Sequence, residues 1–184
     1  MTETIYYLTG RGGQLNTGLG EGLLDRGVSL AGREMSGDFM KLAFQAQLDL
    51  ISRDLQDSFW HEEAKVIAVS YGAYLLLHVL ADLAPFPGHI LLLSPVLGGF
   101  TDAKTMRDFS PPRSKRLMEL SGNSDFPNPV KMEVHVGDQD WQSPSQMVID
   151  FCNTVECEHT IVKGKGHELG KGYVGSVIDK WLLS

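Results

Sequence analysis

The chain alternates short apolar runs with longer amphipathic stretches, and this alternation constrains the fold more than any other feature of the sequence. Short continuous apolar runs are typical of strands buried on both faces, whereas longer amphipathic stretches are typical of helices. Strands joined by helices predict a parallel sheet, because each right-handed crossover places a helix on a face of the sheet. The pattern therefore predicts a three-layer α/β/α sandwich around a mostly parallel six-stranded sheet.

The predicted elements cover the chain evenly, without a repeat, a low-complexity segment or a linker, so one domain is expected over residues 1–184. Strands are predicted at 5–8, 28–31, 65–69, 89–93, 131–136 and 160–162. Helices are predicted near 16–26, 38–56, 72–83, 143–154 and 171–183. The stretch 94–130 holds five of the eight prolines and is long for a simple crossover. It predicts a small cap, with a helix near 113–121 and loops, over the carboxyl edge of the sheet.

Charge and cysteine content restrict the partners of the protein. Lys and Arg number 16 against 23 Asp and Glu, a net charge of −7 without a basic block, which argues against a nucleic-acid partner. The N-terminus lacks a basic segment followed by an apolar stretch, and no apolar run is long enough to span a bilayer. Two cysteines are too few for a secreted disulfide framework. The sequence therefore predicts a cytoplasmic protein without a membrane span.

The strand predicted at 65–69 leads directly into an apolar helix, and Ser70 lies at the junction. A nucleophile elbow requires small residues two positions before and after its serine, because larger side chains would collide at so sharp a turn. Ala68 and Gly72 meet this requirement, although Ala68 stands where the usual pattern has Gly. A serine that only caps the following helix also fits this position. The motif favours a nucleophile at Ser70 and leaves helix capping as the alternative.

Residues 70–74 read Ser-Tyr-Gly-Ala-Tyr and resemble the Ser-Tyr-Gly-Gly-Tyr elbow of some esterases and peptidases of the α/β-hydrolase superfamily. The resemblance extends over nearly the whole chain and implies a trimmed form of that fold. The Gly-rich loop follows the first predicted strand here, which implies loss of the antiparallel strands that usually open the fold.

The resemblance also implies a catalytic triad. In the superfamily the acid follows the penultimate strand in a Gly-x-x-Asp turn, and residues 137–140 read Gly-Asp-Gln-Asp. The histidine follows the last strand, commonly in Gly-x-Gly-His, and residues 164–167 read Gly-Lys-Gly-His. Ser70, Asp140 and His167 therefore match the superfamily's nucleophile, acid and base, in its chain order.

Acyl-transfer chemistry gives each of these residues a role. A neutral serine hydroxyl is a poor nucleophile, so Ser70 needs His167 as a base. A carboxylate on the other ring nitrogen fixes the tautomer of the imidazole. The superfamily places its acid three residues beyond a Gly such as Gly137, so the resemblance implies Asp140 for this role and leaves its neighbour Asp138 as the alternative. With Asp140 as the acid, Asp138 is expected to face solvent or cap its own turn. The backbone N–H of Tyr71 is expected to stabilise the oxyanion.

A second oxyanion donor is implied in the loop at 8–13, which follows the first strand. Gly10 matches the superfamily's pattern, whereas Thr9 replaces its usual His. The donor is then the backbone N–H of Arg11 or of Gly12 beside it, and Gly10 and Gly12 are expected to line the substrate site. The Arg11 guanidinium either meets a carboxylate or phosphate on the substrate or is a solvated loop side chain.

The resemblance implies a serine hydrolase that cleaves a carboxylic ester or thioester through an acyl-enzyme, without a cofactor. A cap at 94–130 is too short to build a deep tunnel, so a small or flexible acyl substrate is expected. One alternative is an α/β-hydrolase fold that binds a ligand with an idle triad, since a fold does not imply an activity.

A dinucleotide-binding domain is a further alternative, because Gly10 and Gly12 follow a strand and Glu34 follows the next one, where a ribose-binding acid belongs. The third glycine of that fingerprint is replaced by Leu15, which argues against this class of protein.

A metal site is not predicted, because neither group of possible ligands has the paired spacing of a zinc site. The two groups are Cys152, Cys157 and His159, and His135, Asp138 and Asp140. Cys152 is expected in the core and Cys157 in a turn before the last strand. The histidines outside any motif are expected on the surface or hydrogen-bonded in the core: His61, His78, His89 and His159.

Overall fold

The computed structural model describes residues 3–102 and 104–184. Its strands are β1 (Thr4–Leu8), β2 (Ser29–Arg33), β3 (Lys65–Val69), β4 (His89–Leu93), β5 (Phe100–Thr101), β6 (Asp108–Phe109), β7 (Lys131–Gly137) and β8 (Glu158–Val162). Its α-helices are α1 (Leu19–Leu24), α2 (Phe44–Ser58), α3 (Tyr71–Leu80), α4 (Arg116–Gly122), α5 (Ser145–Val155) and α6 (Lys171–Trp181). Six strands form one sheet in the order β2-β1-β3-β4-β7-β8, and every neighbouring pair in it is parallel. The predicted parallel six-stranded sheet is confirmed.

The strands are apolar on both faces because helices cover both faces of the sheet. In β3, Val66 and Ala68 pack into the cluster that contains α2, α3 and α5, while Ile67 packs into the cluster that contains α1 and α6. Successive strand side chains point to opposite faces, so one continuous apolar run supplies both cores. Helix α3 is buried along its whole length. The three-layer α/β/α architecture is therefore confirmed.

The helix expected over 38–56 begins later than predicted. A single 3-10 turn occupies Phe39–Lys41, and Leu42 then takes an extended conformation with ψ near 151° before α2 starts. The extended residue interrupts the helical hydrogen bonds, which the apolar pattern of the sequence did not reveal. No α-helix in the described part of the chain is long and apolar enough to cross a membrane.

The segment after β4 contains a small hairpin that the sequence did not predict. β5 and β6 pair antiparallel, with Phe100 opposite Phe109 and Thr101 opposite Asp108. Strands of two residues are too short to produce a detectable period in the sequence. The helix expected near 113–121 is present as α4. The segment 94–130 thus contains a hairpin as well as a helix, and α4 packs against α5, with Arg116 paired to Asp82 just after α3.

His78 corrects the expectation that the unassigned histidines are exposed or fully hydrogen-bonded. It is completely buried in α3, and its Nδ1 lies 2.9 Å from the carbonyl oxygen of Tyr74. Its Nε2 has no hydrogen-bond partner among the residues that the structure describes. The rings of Tyr74 and Phe44 pack against the imidazole, with centroids 4.3 and 5.4 Å away, and occupy the space around it. Burial lowers the pKa of His78, which favours the neutral ring.

Candidate active site

Ser70 lies in a strained turn between β3 and α3. Its φ is 53° and its ψ is −114°, a conformation that is uncommon for a residue with a side chain. A Cβ on Gly72 would lie 2.4 Å from the carbonyl oxygen of Thr9 and 2.7 Å from that of Leu8, so only glycine fits there. The end of β1 thus packs directly against the first turn of α3. These contacts explain the small residue that the elbow motif requires after the serine.

The side chains of Ser70, His167 and Asp140 form one continuous hydrogen-bonded chain. Ser70 Oγ lies 2.7 Å from His167 Nε2, and His167 Nδ1 lies 2.8 Å from Asp140 Oδ2 and 3.0 Å from Oδ1. Ser70 makes no side-chain hydrogen bond that caps α3, so the helix-capping alternative is not observed. The three residues follow β3, β7 and β8, whose carboxyl ends lie at the same edge of the sheet.

Backbone groups of the turn after β7 bind the side chain of Asp140. Its side chain is fully buried, and its Oδ1 accepts hydrogen bonds from the backbone N–H groups of Gln142 at 2.9 Å and Ser143 at 3.0 Å. Because a buried carboxylate without partners would be costly, these donors make its burial possible. They also orient the carboxylate toward His167.

Asp138 has a different partner. It is exposed, and its Oδ1 accepts a hydrogen bond of 2.7 Å from the backbone N–H of Gly164. Asp138 thus faces solvent as expected, while its carboxylate binds the loop that carries His167 and does not cap its own turn. These two loops touch closely: a Cβ on Gly137 would lie 2.1 Å from the carbonyl oxygen of Lys165. The structure thus places Asp140, and not Asp138, beside His167.

Ser94 supports the backbone of His167 and was not predicted from the sequence. It is buried at the end of β4, with a φ of 47°, and its Oγ donates a hydrogen bond of 2.9 Å to the carbonyl oxygen of His167. The sequence offers one signal for Ser94, a polar residue directly after a continuous apolar strand. Ser94 is a positioning residue, because it contacts the histidine backbone and not its ring.

Two cavities open on either side of Ser70. The hairpin cavity, of about 850 Å³, lies beside the β5–β6 hairpin, and the α6 cavity, of about 610 Å³, lies beside the start of α6. The residues that line both cavities are Arg11, Ser70, Gln142, His167 and Glu168. A bound molecule at Ser70 can therefore extend in two directions.

The loop after β1 supplies only part of what the sequence predicted. Gly10 lines the α6 cavity and Arg11 lines both cavities. Gly12 lines neither, and its N–H donates a 2.7 Å hydrogen bond to the carbonyl oxygen of Met35. The Gly12 N–H, the alternative oxyanion donor, is thus engaged within the chain, and the structure does not bring Gly12 into either cavity. Tyr71 is the first residue of α3, so its N–H has no acceptor within the helix.

Arg11 is exposed, as the solvated-loop alternative expects, and its guanidinium also packs on two aromatic rings. Its guanidinium carbon lies 5.2 Å from the ring centroid of Tyr71 and 5.0 Å from that of Phe109, both within the range of cation–π contacts. Burial raises the pKa of Tyr71, and the nearby Arg11 charge acts in the opposite direction. The guanidinium thus bridges α3 and the hairpin.

The residues considered for a dinucleotide site and for a metal site have the following places in the structure. Glu34 accepts a 2.9 Å hydrogen bond from the N–H of Leu15, so the acid considered for ribose binding holds the loop of its own chain. Cys152 is buried in α5, and Cys157 is half-buried directly before β8, as expected. Within residues 3–102 and 104–184, no group of three or more His, Cys, Asp or Glu side chains is placed to hold a metal ion.

No protein-family model matches the sequence, and no curated protein matches it either. Solved structures do match. The ydeN gene product of B. subtilis is 16% identical, with a TM-score of 0.71 and coverage of 100% of each chain. Est1E from Butyrivibrio proteoclasticus is 16% identical, with a TM-score of 0.68, and the match covers 99% of this chain and 87% of the Est1E chain.

A carboxylesterase from the Thaumarchaeon Nitrososphaera gargenis is 12% identical, with a TM-score of 0.67, and the match covers 99% of this chain and 90% of that chain. Sequence identities this low establish similarity of fold and not of activity. The matched structures are of the α/β-hydrolase type. This chain therefore has the α/β-hydrolase fold, in a form trimmed to a six-stranded parallel sheet.

Proposed function

We propose that this protein is a serine hydrolase that cleaves a carboxylic ester or thioester, with Ser70 as the nucleophile. The observation that supports this proposal best is the chain of hydrogen bonds from Ser70 Oγ to His167 Nε2 and from His167 Nδ1 to Asp140, beside two cavities. Strained backbone persists where surrounding structure maintains it, commonly at functional sites, and the positive φ of Ser70 fits that pattern.

In the proposed reaction, His167 Nε2 takes the proton of Ser70 as Oγ attacks the carbonyl carbon. Asp140 holds the imidazole in the required tautomer and stabilises the imidazolium. The backbone N–H groups of Tyr71 and Arg11 are the proposed donors to the oxyanion. The leaving alcohol or thiol takes the proton from His167 as the tetrahedral intermediate collapses to the acyl-enzyme.

Water then completes the cycle. It attacks the acyl carbon while His167 accepts its proton, and the second tetrahedral intermediate collapses as that proton returns to Ser70 Oγ. The acid leaves and the free serine is restored. Every step uses side chains or backbone groups at the carboxyl edge of the sheet.

Labelling with a fluorophosphonate tests the proposal, because this probe reacts with an activated serine. Intact mass should rise by a single adduct in the unmodified protein and should not rise in Ser70→Ala. Ser176→Ala is the matched control, since Ser176 is an exposed serine on α6, and it should be labelled like the unmodified protein. A folded protein that stays unlabelled would contradict the proposal and favour a binding protein with an idle triad.

We further propose that the substrate has a small or flexible acyl group. At the site, the segment after β4 contributes a hairpin with strands of only two residues, and the short α4 helix lines neither cavity. In a series of p-nitrophenyl esters, kcat/KM should be highest for acyl chains of about two to eight carbons, because longer chains find no further apolar surface worth about 0.8 kcal/mol per methylene. A steep rise in kcat/KM up to about sixteen carbons would contradict this prediction.

A further inference from the structure

The two cavities beside Ser70 have different chemical linings. The hairpin cavity presents four aromatic side chains, those of Tyr71, Phe100, Phe109 and Trp141. The apolar part of the α6 cavity is aliphatic except for one aromatic ring, that of Tyr7, and polar side chains such as Ser94 and Lys171 also line the cavity. Its apolar side chains are Tyr7, Leu19, Val69, Leu93, Leu169 and Val174. This difference between the two linings indicates that the two ends of a bound substrate also differ in chemical character.

The four rings of the hairpin cavity form a connected set. Phe100 and Phe109 are cross-strand partners with ring centroids 4.8 Å apart, and Trp141 meets Phe100 edge-on at 5.6 Å. Tyr71 meets Phe109 edge-on at 6.4 Å. These separations are typical of favourable aromatic pairs. The rings therefore support one another as a wall of the cavity, and three of them are only half-buried.

This aromatic wall is joined directly to the reacting groups. Tyr71 follows Ser70 in the chain, and Trp141 follows Asp140. The guanidinium of Arg11 packs on Tyr71 and Phe109 and lines both cavities. The orientation of the wall relative to Ser70 is thus set by the same turns that set the hydrogen-bonded chain.

From this arrangement, and resting on the proposed function, we infer that the substrate is an ester with an aromatic ring on one side of the scissile bond and an aliphatic group on the other. Ser70 and His167 line both cavities, so a carbonyl carbon at Ser70 has one substituent in each cavity. The ring lies in the hairpin cavity, where a further ring extends the aromatic set. The aliphatic group lies in the α6 cavity.

The charged side chains of the hairpin cavity agree with this assignment. Three side chains of each sign line it: Arg11, Lys104 and Arg107 against Asp102, Asp108 and Glu168. A long alkyl chain that passed these groups would meet polar surface, whereas a compact ring ends among the aromatic side chains. The hairpin cavity therefore suits a ring better than an extended chain.

Esters that differ only in the ring test the inference. Ethyl phenylpropanoate carries the ring on the acyl side and phenylpropyl acetate carries it on the alcohol side. Each is compared with its cyclohexyl analogue, which has the same number of carbon atoms and a similar bulk without a π-system. At least one phenyl ester should exceed its cyclohexyl analogue in kcat/KM by about tenfold. The phenyl ester that does so identifies the side that enters the hairpin cavity.

Variants locate the preference within the molecule. Phe109→Leu and Phe100→Leu should each bring the ratio of kcat/KM for the preferred phenyl ester and its cyclohexyl analogue close to one. The matched control is Phe126→Leu, because Phe126 packs on Phe151 and lines neither cavity, and it should keep the ratio of the unmodified protein. Fluorophosphonate labelling shows that each variant retains a folded site.

A variant in the α6 cavity tests the aliphatic side of the substrate. Val174→Phe narrows this cavity. It should therefore lower kcat/KM about tenfold more for esters with a butyl group on the aliphatic side than for those with a methyl group, and it should keep the phenyl preference. Hydrolysis that depends on Ser70 but is equal for phenyl and cyclohexyl esters would overturn the inference alone. Loss of the phenyl preference in Val174→Phe would overturn it as well. Absence of hydrolysis that depends on Ser70 would instead overturn the proposed function.

Discussion

Replacing Ser70 or His167 with Ala is expected to lower kcat for ester hydrolysis by about a millionfold, and replacing both should lower it no further. The two side chains act as a unit, because Ser70 Oγ is hydrogen-bonded to His167 Nε2 at 2.7 Å and is activated only through that bond. Once either partner is gone, the remaining one has no function in the reaction. The backbone N–H groups of the site are unaffected and leave a residual rate.

The measurement is kcat with p-nitrophenyl butyrate for the two single variants and the double variant, each shown to be folded by circular dichroism. His61→Ala is the matched control, since His61 is exposed and lies outside both cavities, and its kcat should equal that of the unmodified protein. Losses that multiply in the double variant would show that the two residues act independently. That result would contradict the proposed mechanism.

Asp140→Asn is expected to lower kcat by about ten-thousandfold, the effect that the comparable change has in serine proteases. The carboxylate accepts a hydrogen bond from His167 Nδ1 at 2.8 Å, which leaves Nε2 free to accept the proton of Ser70. An Asn that turns its amide N–H toward Nδ1 stabilises the wrong tautomer. Its oxygen can still accept the backbone N–H groups that bind Asp140 Oδ1, so the turn and the fold are retained.

Asp138→Asn is the matched control for this variant. Asp138 accepts a hydrogen bond from the Gly164 N–H, and the amide oxygen of Asn can accept the same bond. This variant should keep at least about a tenth of the kcat, equivalent to less than about 1.4 kcal/mol of activation free energy. The kinetic comparison is made on proteins with matching thermal unfolding midpoints. The reverse ranking of the two variants would assign the acid to Asp138 and contradict the geometry described above.

The elements of the fold were predictable because each depends on short-range information. A run such as β4 is apolar on both faces, and this pattern identifies a buried strand without knowledge of its neighbours. The residues after β3, β7 and β8 were predictable as one site, because the carboxyl ends of parallel strands share an edge. The hairpin was not predictable, since its two-residue strands carry no period.

The partners of individual side chains were less accessible to sequence reasoning. Ser94 binds the carbonyl of His167 across 73 positions of the chain, and no local pattern marks that contact. Arg11 packs on Phe109 only because the hairpin folds back over the start of α3. Gly12 was expected at the site, but its N–H donates a hydrogen bond to the carbonyl oxygen of Met35 in the loop after β2. Each of these contacts joins segments that are distant in sequence.

The sequence by itself determined the parallel sheet, the sharp turn at Ser70 and the candidates for the acid and the base, because hydrophobic period and small turn residues act over a few positions. The resemblance already implied Asp140 as the acid, and the tertiary structure added that Asp140 contacts His167 while Asp138 contacts Gly164. Only the tertiary structure divided the space at Ser70 into an aromatic and an aliphatic cavity. The physical reason is that hydrogen bonds and cavity walls form between side chains brought together by packing, and their geometry depends on distances that exist only once the sheet and helices have assembled.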